Sequence, residues 1–299
     1  MPPKKKVVVI LGPTASGKSD LAIALARKYN GEIISADSRQ VYLGMDIGTG
    51  KVSKRERRLV PHHLLDVASP KTSYTVHQFQ RDARKTIRAI QRRGKLPILC
   101  GGTGFWIEAV LSDVALPRVK PDKRLRAKLA RLTTAQLYAQ LKKLDPARAR
   151  TIDKHNPARL IRALEIVMTT HKPMPPLTGK TNYDSLILGI QVPTKALEKR
   201  IAARLAKHLK QGMIAEVKRL RAQGVSAKRL IDLGLEYRYL MYFLQGKISK
   251  KRLTEKLGTA IRRYAKRQMT WFHGMERRDI RIRWITTARE AEKTIIDFI

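Results

Sequence analysis

Val7-Val8-Val9-Ile10-Leu11-Gly12-Pro13-Thr14-Ala15-Ser16-Gly17-Lys18-Ser19 is the stretch on which the fold turns. Its first five residues are apolar and mostly β-branched, with no alternation to polar side chains, so they read as a strand buried on both faces. Gly12–Ser19 then fits G-x-x-x-x-G-K-[ST], and Lys18–Tyr29 reads as a helix stopped at Asn30-Gly31. Strand, glycine-rich loop and helix in that order make a phosphate cradle. The glycines let backbone N–H groups converge on phosphate oxygens, and the helix N-terminus adds partial positive charge. Lys18 adds a point charge, and the Ser19 hydroxyl is a ligand for Mg²⁺. Gly12, Pro13, Thr14, Ala15, Ser16, Gly17, Lys18 and Ser19 are therefore the expected phosphate-binding residues, with Ser19 as the metal ligand.

Outward from this loop, strand and helix signals alternate. Glu32–Ser35 is a second strand, and Thr75–Arg93 is a basic amphipathic helix ended by Gly94. Leu96–Cys100 is a third strand that feeds Gly101-Gly102-Thr103-Gly104 and another helix. Such alternation argues for a parallel sheet. After Pro117 only helical periodicity appears up to Thr170, as in Leu125, Leu129, Leu132 and Leu137, Leu141, Leu144; a linker signal follows at Lys172–Pro176. Ser185–Val192 is again strand-like, Lys195–Phe272 is mostly helical, and Ile280–Ile285 is a last strand candidate. The expected architecture is α/β: a P-loop NTPase-like parallel sheet flanked by helices (residues 1–117 and 185–299), with an all-helical insertion domain at 118–184.

The 299 residues carry 63 Lys and Arg against 24 Asp and Glu, a formal net charge of +39. The excess is +11 over residues 1–116, +11 over 117–184 and +17 over 185–299, so it belongs to the folded body and not to a tail. Such a field attracts polyanions by neutralising phosphates and releasing counterions. A general basic bias of the source, or a solubility strategy, is the competing explanation. Cys100 is the only cysteine, which excludes an intrachain disulfide and a cysteine metal cluster, and its apolar surroundings predict a core position. Pro2–Lys6 precedes an apolar run too short for a signal-peptide core, and no stretch reaches the length of a membrane span. These features point to the cytoplasm and away from a membrane.

The second strand delivers Asp37-Ser38-Arg39-Gln40-Val41-Tyr42 at its C-terminal end, where α/β sites form. Asp37 is a Walker-B-like magnesium carboxylate, a general base, or with Ser38 merely the cap of a turn. Thr103 in the second glycine-rich turn can reach the same phosphates. His62-His63 lacks the spacing of a metal pair, which leaves helix packing or an RNA contact. Leu253, Leu257, Ile261 and Tyr264 form an apolar stripe expected in the core, with Arg262, Arg263, Lys266 and Arg267 off it, facing phosphate or solvent. Trp271 and Phe272 read as core residues or base-stacking platforms.

Taken in order, several segments resemble the tRNA dimethylallyltransferase (tRNA isopentenyltransferase) family across about the whole chain. They are Gly12–Ser19, Asp37–Tyr42, Met45-Asp46-Ile47-Gly48-Thr49, Pro61-His62-His63-Leu64-Leu65-Asp66, Gly101–Gly104, Arg159–Glu165, and Ala265-Lys266-Arg267-Gln268 with Thr270-Trp271-Phe272. No Cys/His zinc-finger-like extension follows them, so the likeness is to the bacterial form. The resemblance implies transfer of a dimethylallyl group from dimethylallyl diphosphate to N6 of the adenosine just 3′ of the anticodon, in tRNAs reading codons that start with U. It implies Asp37 as general base, Thr103 beside the reacting region, and Lys18 and the rest of Gly12–Ser19 on the diphosphate with Mg²⁺. It further implies tRNA contacts at Asp37, Ser38, Arg39, Gln40, Thr103, Arg126, Ala158, Arg159, Leu160, Ile161 and Arg162. The helical insertion would grip the anticodon stem–loop, and the enzyme would act as a monomer.

The residues agree with that chemistry. Departure of diphosphate requires its charge to be stabilised, and an adenine amine attacks well only as its proton leaves. This chain departs from the family pattern where Gly-Tyr-Arg-Gln is common: it has Gly234-Leu235-Glu236-Tyr237-Arg238-Tyr239. It also has Phe105-Trp106 in place of Leu-Tyr, and Ala158 in place of Gln. Three other readings stand beside this one: a prenyltransferase acting on free adenine nucleotides, a P-loop kinase or ATPase, and a basic RNA-binding module without turnover.

Overall fold

The valine run becomes β1 (Lys5–Leu11), and it is flanked on both edges, as an apolar run with two buried faces requires. The computed structural model describes residues 5–112, 117, 119–174, 181 and 183–299. They form two compact units, Met1–Leu111 with Thr181–Ile299, and Ser112–Lys180. Arg118 at the expected boundary, and Pro175-Pro176 of the linker, lie outside the described residues.

In the first unit, α1 (Lys18–Lys28) and β2 (Gly31–Ser35) follow β1. Next come α2 (Lys54–Leu59), β3 (His62–His63), α3 (Val76–Arg92), β4 (Leu96–Gly101) and α4 (Gly104–Leu111). The second unit holds α5 (Lys123–Leu129), α6 (Thr134–Leu144), α7 (Pro146–Thr151) and α8 (Pro157–Thr170). The chain returns through β5 (Tyr183–Ile190), α9 (Thr194–Lys210), α10 (Met213–Ala222), α11 (Ala227–Leu233), α12 (Leu235–Leu244) and α13 (Lys250–Glu276). It closes with β6 (Arg283–Ile285) and α14 (Ala288–Ile296).

The six strands make one parallel sheet in the order β3-β2-β4-β1-β5-β6. Alternate residues of β1 feed different cores. Val7, Val9 and Leu11 pack with α3, α4 and the C-terminal helices, whereas Val8 and Ile10 pack with Ala22, Leu25 and Ala26 of α1 and Ala291 and Ile295 of α14. Cys100 joins the second core, as expected. Burial pushes its thiol up to about 12, so it is not a reactive nucleophile.

Sequence reading runs long at Ile280–Ile285, where only the last three residues pair with β5. His62-His63 forms a short edge strand on β2. His63 Nε2 lies 2.7 Å from Glu32 Oε2, and His62 Nδ1 lies 2.8 Å from the Val60 carbonyl. Among the described residues, no helix is long and apolar enough to cross a membrane.

The helical unit has its own core of Leu129, Leu137, Leu141, Leu160 and Leu164. Its helices begin at side-chain caps: Asp122, Thr133 (a full capping box), Asp145 and Asn156. Glu165 in this unit has a wholly buried side chain. Glu165 accepts from Arg126 Nε and Nη2 at 2.8 and 2.7 Å, from Arg162 Nη1 at 2.6 Å and from the Asp122 backbone N–H at 2.7 Å. Burial alone would raise its pKa. The two guanidinium groups and the backbone donor outweigh that and hold the carboxyl down at about 2.

A carboxyl held down in the folded state stabilises above its unfolded pKa and loses that contribution as pH falls through the folded value. Glu165→Gln should therefore lower stability by about 3 kcal/mol at neutral pH, with the deficit shrinking as pH falls from about 4.5 toward about 2. Urea melts followed by circular dichroism across that range would show it. A deficit independent of pH would mean that the guanidinium pairing is not what Glu165 contributes.

Candidate active site

Three loops leave the sheet side by side at its C-terminal edge, because β1, β4 and β2 are neighbours: Gly12–Ser19, Gly101–Gly104 and Asp37–Gln40. In the first loop Ala15 (φ 62°) and Gly17 (φ 93°) take left-handed conformations that turn the backbone into a cradle before α1 begins. A side chain at Gly12 would press on Ser16 Oγ and on Ile190 of the neighbouring strand. The Ser16 hydroxyl is buried with no hydrogen-bond partner among the described residues, an orphan polar atom inside a loop built for phosphate.

Lys18 Nζ donates 2.7 Å to the Pro13 carbonyl. Burial, with help from the nearby charge of Arg204, lowers its pKa to about 8, although Cys100 and Asp37 oppose the shift. An anion in the cradle would restore the charge, so phosphate binding at alkaline pH would take up a proton.

Asp37 performs the turn-capping role weighed from sequence. Its Oδ1 accepts from the backbone N–H of Arg39 at 2.8 Å and of Gln40 at 3.4 Å. Its Oδ2 has no protein partner among the described residues, and Asp37 lines the large cleft. Capping fixes one oxygen and leaves the other available. Thr103 Oγ1 accepts from the Ser38 N–H at 3.1 Å, which ties the second glycine turn to the Asp37 loop. Arg39 Nε donates to the Leu233 carbonyl at 2.8 Å, and Gln40 bonds Ser35 Oγ and the carbonyls of Thr49 and Gly50.

The cleft above these loops has a volume of about 1000 Å³. Thr14, Asp37, Ser38, Arg39 and Arg204 line one part, and the segment Gly234–Tyr239 another. Tyr264 also lines it, with Arg263 and Arg267, which corrects its expected place in the apolar stripe: Leu253, Leu257 and Ile261 are core, but Tyr264 turns to the cavity. Phe272 is fully buried, and Trp271 packs edge-on to Phe105 with ring centroids 5.8 Å apart. Among groups of His, Cys, Asp and Glu in the described residues, none of three or more is arranged to hold a metal. A metal here would depend on the Ser19 hydroxyl and on the ligand's own oxygens.

Sequence reasoning missed four supports of the site. Gln268 Oε1 accepts from the Thr14 N–H at 2.8 Å while its Nε2 donates to the Gly102 carbonyl at 2.9 Å, so one buried amide joins both glycine loops. A Cβ on Gly102 would collide with it. Arg204 on α9 approaches Thr14 Oγ1 and the Thr49 carbonyl at 3.4 Å each, and Arg200 approaches the Ser16 carbonyl at 3.5 Å. Glu216, also buried, accepts from the backbone N–H groups of Asp46, Ile47 and Gly48 and from the Tyr237 hydroxyl. Gln268 had a signal, because it sits in a segment that carried the resemblance. The arginines look like any solvated basic face.

The remaining expected RNA-binding residues lie in the helical unit. Ala158 and Arg159 are exposed, and among the described residues the Arg159 side chain has only a 4.0 Å ion pair to Asp153. Leu160 is corrected: it is fully buried in that unit's core, so its side chain cannot meet RNA. Ile161 packs against the same core, while Arg126 and Arg162 spend their charge on Glu165, though both side chains stay partly exposed.

Residues 40–277 match the IPP transferase family, and residues 5–66 the isopentenyl transferase family. The chain belongs to the IPP transferase family. Its similarity runs nearly end to end. The tRNA dimethylallyltransferase 2 of Bacteroides fragilis is 41% identical over 296 residues, covering 98% of this chain and 96% of that one. The crystal structure of the full-length tRNA isopentenylpyrophosphate transferase of Bacillus halodurans is 35% identical with a TM-score of 0.73, covering 98% of this chain and 96% of that one. A eukaryotic dimethylallyltransferase acting on tRNA matches with a TM-score of 0.76 at 29% identity, over 94% of this chain and 74% of its own.

Gln268→Leu keeps the volume but leaves the Thr14 N–H and the Gly102 carbonyl unpaired. Affinity for inorganic diphosphate should fall about tenfold, measured by isothermal titration. Unchanged affinity would show that the loops hold their shape without the tether.

Proposed function

We propose that this chain transfers the dimethylallyl group of dimethylallyl diphosphate to the exocyclic N6 of the adenosine 3′-adjacent to the anticodon, in tRNAs reading codons that start with U. One observation carries the reading: a phosphate cradle and a half-free carboxylate, Asp37, share one cleft within a chain of this family. In the reaction an N6–carbon bond forms as the allylic carbon–oxygen bond breaks. The electron pair of the broken bond leaves with the diphosphate, and the N6 proton goes to Asp37 Oδ2.

The chain's own groups divide that work. Backbone amides of Gly17–Ser19 at the start of α1, the Lys18 ammonium and the nearby Arg204 stabilise the departing diphosphate by preorganised charge. The unpartnered Ser16 hydroxyl supplies one more donor to the same oxygens. Mg²⁺, held by Ser19 and the diphosphate itself, would neutralise the leaving group's charge. Asp37 accepts the proton with an oxygen that the turn does not use, and Thr103 fixes the loop that presents it. An adenine in a loop can be extruded into a pocket, which a paired base cannot do cheaply. The helical unit, acting through Arg159 and its neighbours, would hold the anticodon stem–loop of a tRNA bound by a single copy of the chain.

Incubation with Mg²⁺, radiolabelled dimethylallyl diphosphate and unmodified tRNA should label the RNA, and mass analysis of the nucleoside should give N6-dimethylallyladenosine. Asp37→Asn preserves the capping oxygen but cannot take a proton, so turnover should fall at least about a hundredfold while tRNA affinity changes little. A variant as fast as the parent would remove Asp37 from the base role. Arg159→Ala should weaken tRNA binding and reduce the slope of log affinity against log salt by about one. Parallel slopes for variant and parent would rule out a phosphate contact there.

A further inference from the structure

Glu236 is the second carboxyl of the cleft, and it stands in the segment where this chain departs from the family pattern. Gly234 (φ 80°) and Leu235 (φ 38°) are both left-handed, a strained turn for a leucine, and they start α12 so that Glu236 falls on the cavity wall. It lines both the large cleft and a small hole of about 10 Å³ behind Thr14 and Ala15. Among the described residues its carboxyl has no ion pair and no hydrogen bond beyond its own backbone amide. A cleft-lining carboxyl without a protein partner is free for a ligand.

The groups around it are known. Arg204 faces it from α9, and His208 on the same helix lines the small hole beside it. Tyr264 faces it from α13, and Asp37 and Arg39 from the loop after β2. Burial raises its pKa to about 7 and Asp37 adds to the rise, while Arg204 and Arg39 hold it back. The cavity therefore offers the half-free Asp37 side chain beside a second carboxyl, on Glu236, that holds its proton up to about pH 7.

An acceptor beside a donor in one cleft is complementary in hydrogen-bonding sense to one edge of one base. Adenine presents an N6–H donor next to a ring-nitrogen acceptor, N1 on the pairing edge or N7 on the other. We propose that Glu236 reads the target purine by donating a hydrogen bond from its protonated carboxyl to the ring nitrogen beside the amine that Asp37 accepts from. A guanine offers an oxygen where the amine stands and would be repelled by the Asp37 carboxylate. Glu236 is thus a specificity-determining residue that holds the amine in line, and the inference rests on the adenine-acceptor reading above. Since the folded value lies above that of a free carboxyl, the donor is present at low pH and is lost as pH rises through about 7.

The test uses the whole protein and anticodon stem–loop RNAs bearing adenine, 1-deazaadenine or 7-deazaadenine at the target position. Binding is measured by fluorescence anisotropy at about pH 6 and about pH 8.5, and prenyl transfer is measured in parallel. In the parent, one of the two deaza substitutions should cost about tenfold in affinity at the lower pH and little at the higher. Glu236→Gln keeps a donor that does not titrate and should preserve the discrimination at both pH values. Glu236→Leu should abolish it at both. Discrimination by the parent that is flat with pH, or that survives in Glu236→Leu, overturns the proposal. Discrimination that behaves as expected without any prenyl transfer would overturn the transfer reading and leave the contact standing. Transfer with pH-flat discrimination would do the reverse.

Discussion

Backbone must approach backbone where β1, β4 and β2 end, and that close approach sets the terms for the rest of the molecule. Leu11 is in register with Gly101, and Ser35 with Cys100, so the three exits lie side by side. A Cβ on Gly101 would strike the Ala36 carbonyl, and one on Gly102 the Gln268 amide. Glycine is required there because the Ala36 backbone and the Gln268 side chain already occupy the space. Long helices would keep these loops apart if they carried only apolar contacts. Instead α13 sends in Gln268, which bonds to backbone atoms of both glycine loops, while α10 sends Glu216 and α9 sends Arg204 to the backbone of Asp46–Thr49.

The cavity works because its charges are arranged unequally. One oxygen of Asp37 is tied down by two amides and the other is not. Lys18 is so enclosed that its charge is weakly held until an anion arrives, which couples occupancy of the cradle to proton uptake. Elsewhere basic side chains are used structurally. Arg126 and Arg162 neutralise a carboxylate that would otherwise be an unpaired buried charge, and Arg278 does the same for Glu108. A net charge of +39 thus overstates the positive surface that remains for a polyanion.

The parallel sheet was legible in the sequence because its strands are short apolar runs bounded by glycine turns, and those signals are local. Gly12–Ser19 and Asp37 were legible for the same reason. Arg204 and Glu216 were not, since a charged residue on an amphipathic helix looks identical whether it faces water or a loop brought close by long-range packing. Two motif segments proved to be scaffolding. Met45–Thr49 hangs on Glu216, and Asp66 pairs with the fully enclosed Lys51, which also bonds Asp46 and the Tyr42 carbonyl. Burial of the Leu160 side chain was not legible, because a motif marks a stretch of helix and only one side of a helix can face a ligand.

The lone thiol of Cys100 sits 3.7 Å from the Lys18 carbonyl, directly beneath the first turn of α1. Its side chain is largely buried while that turn is packed, so a dissolved reagent meets it slowly. Alkylation of this sulfur therefore clocks how often the cradle lifts from the sheet, and the native chain needs no engineered label to report its own breathing.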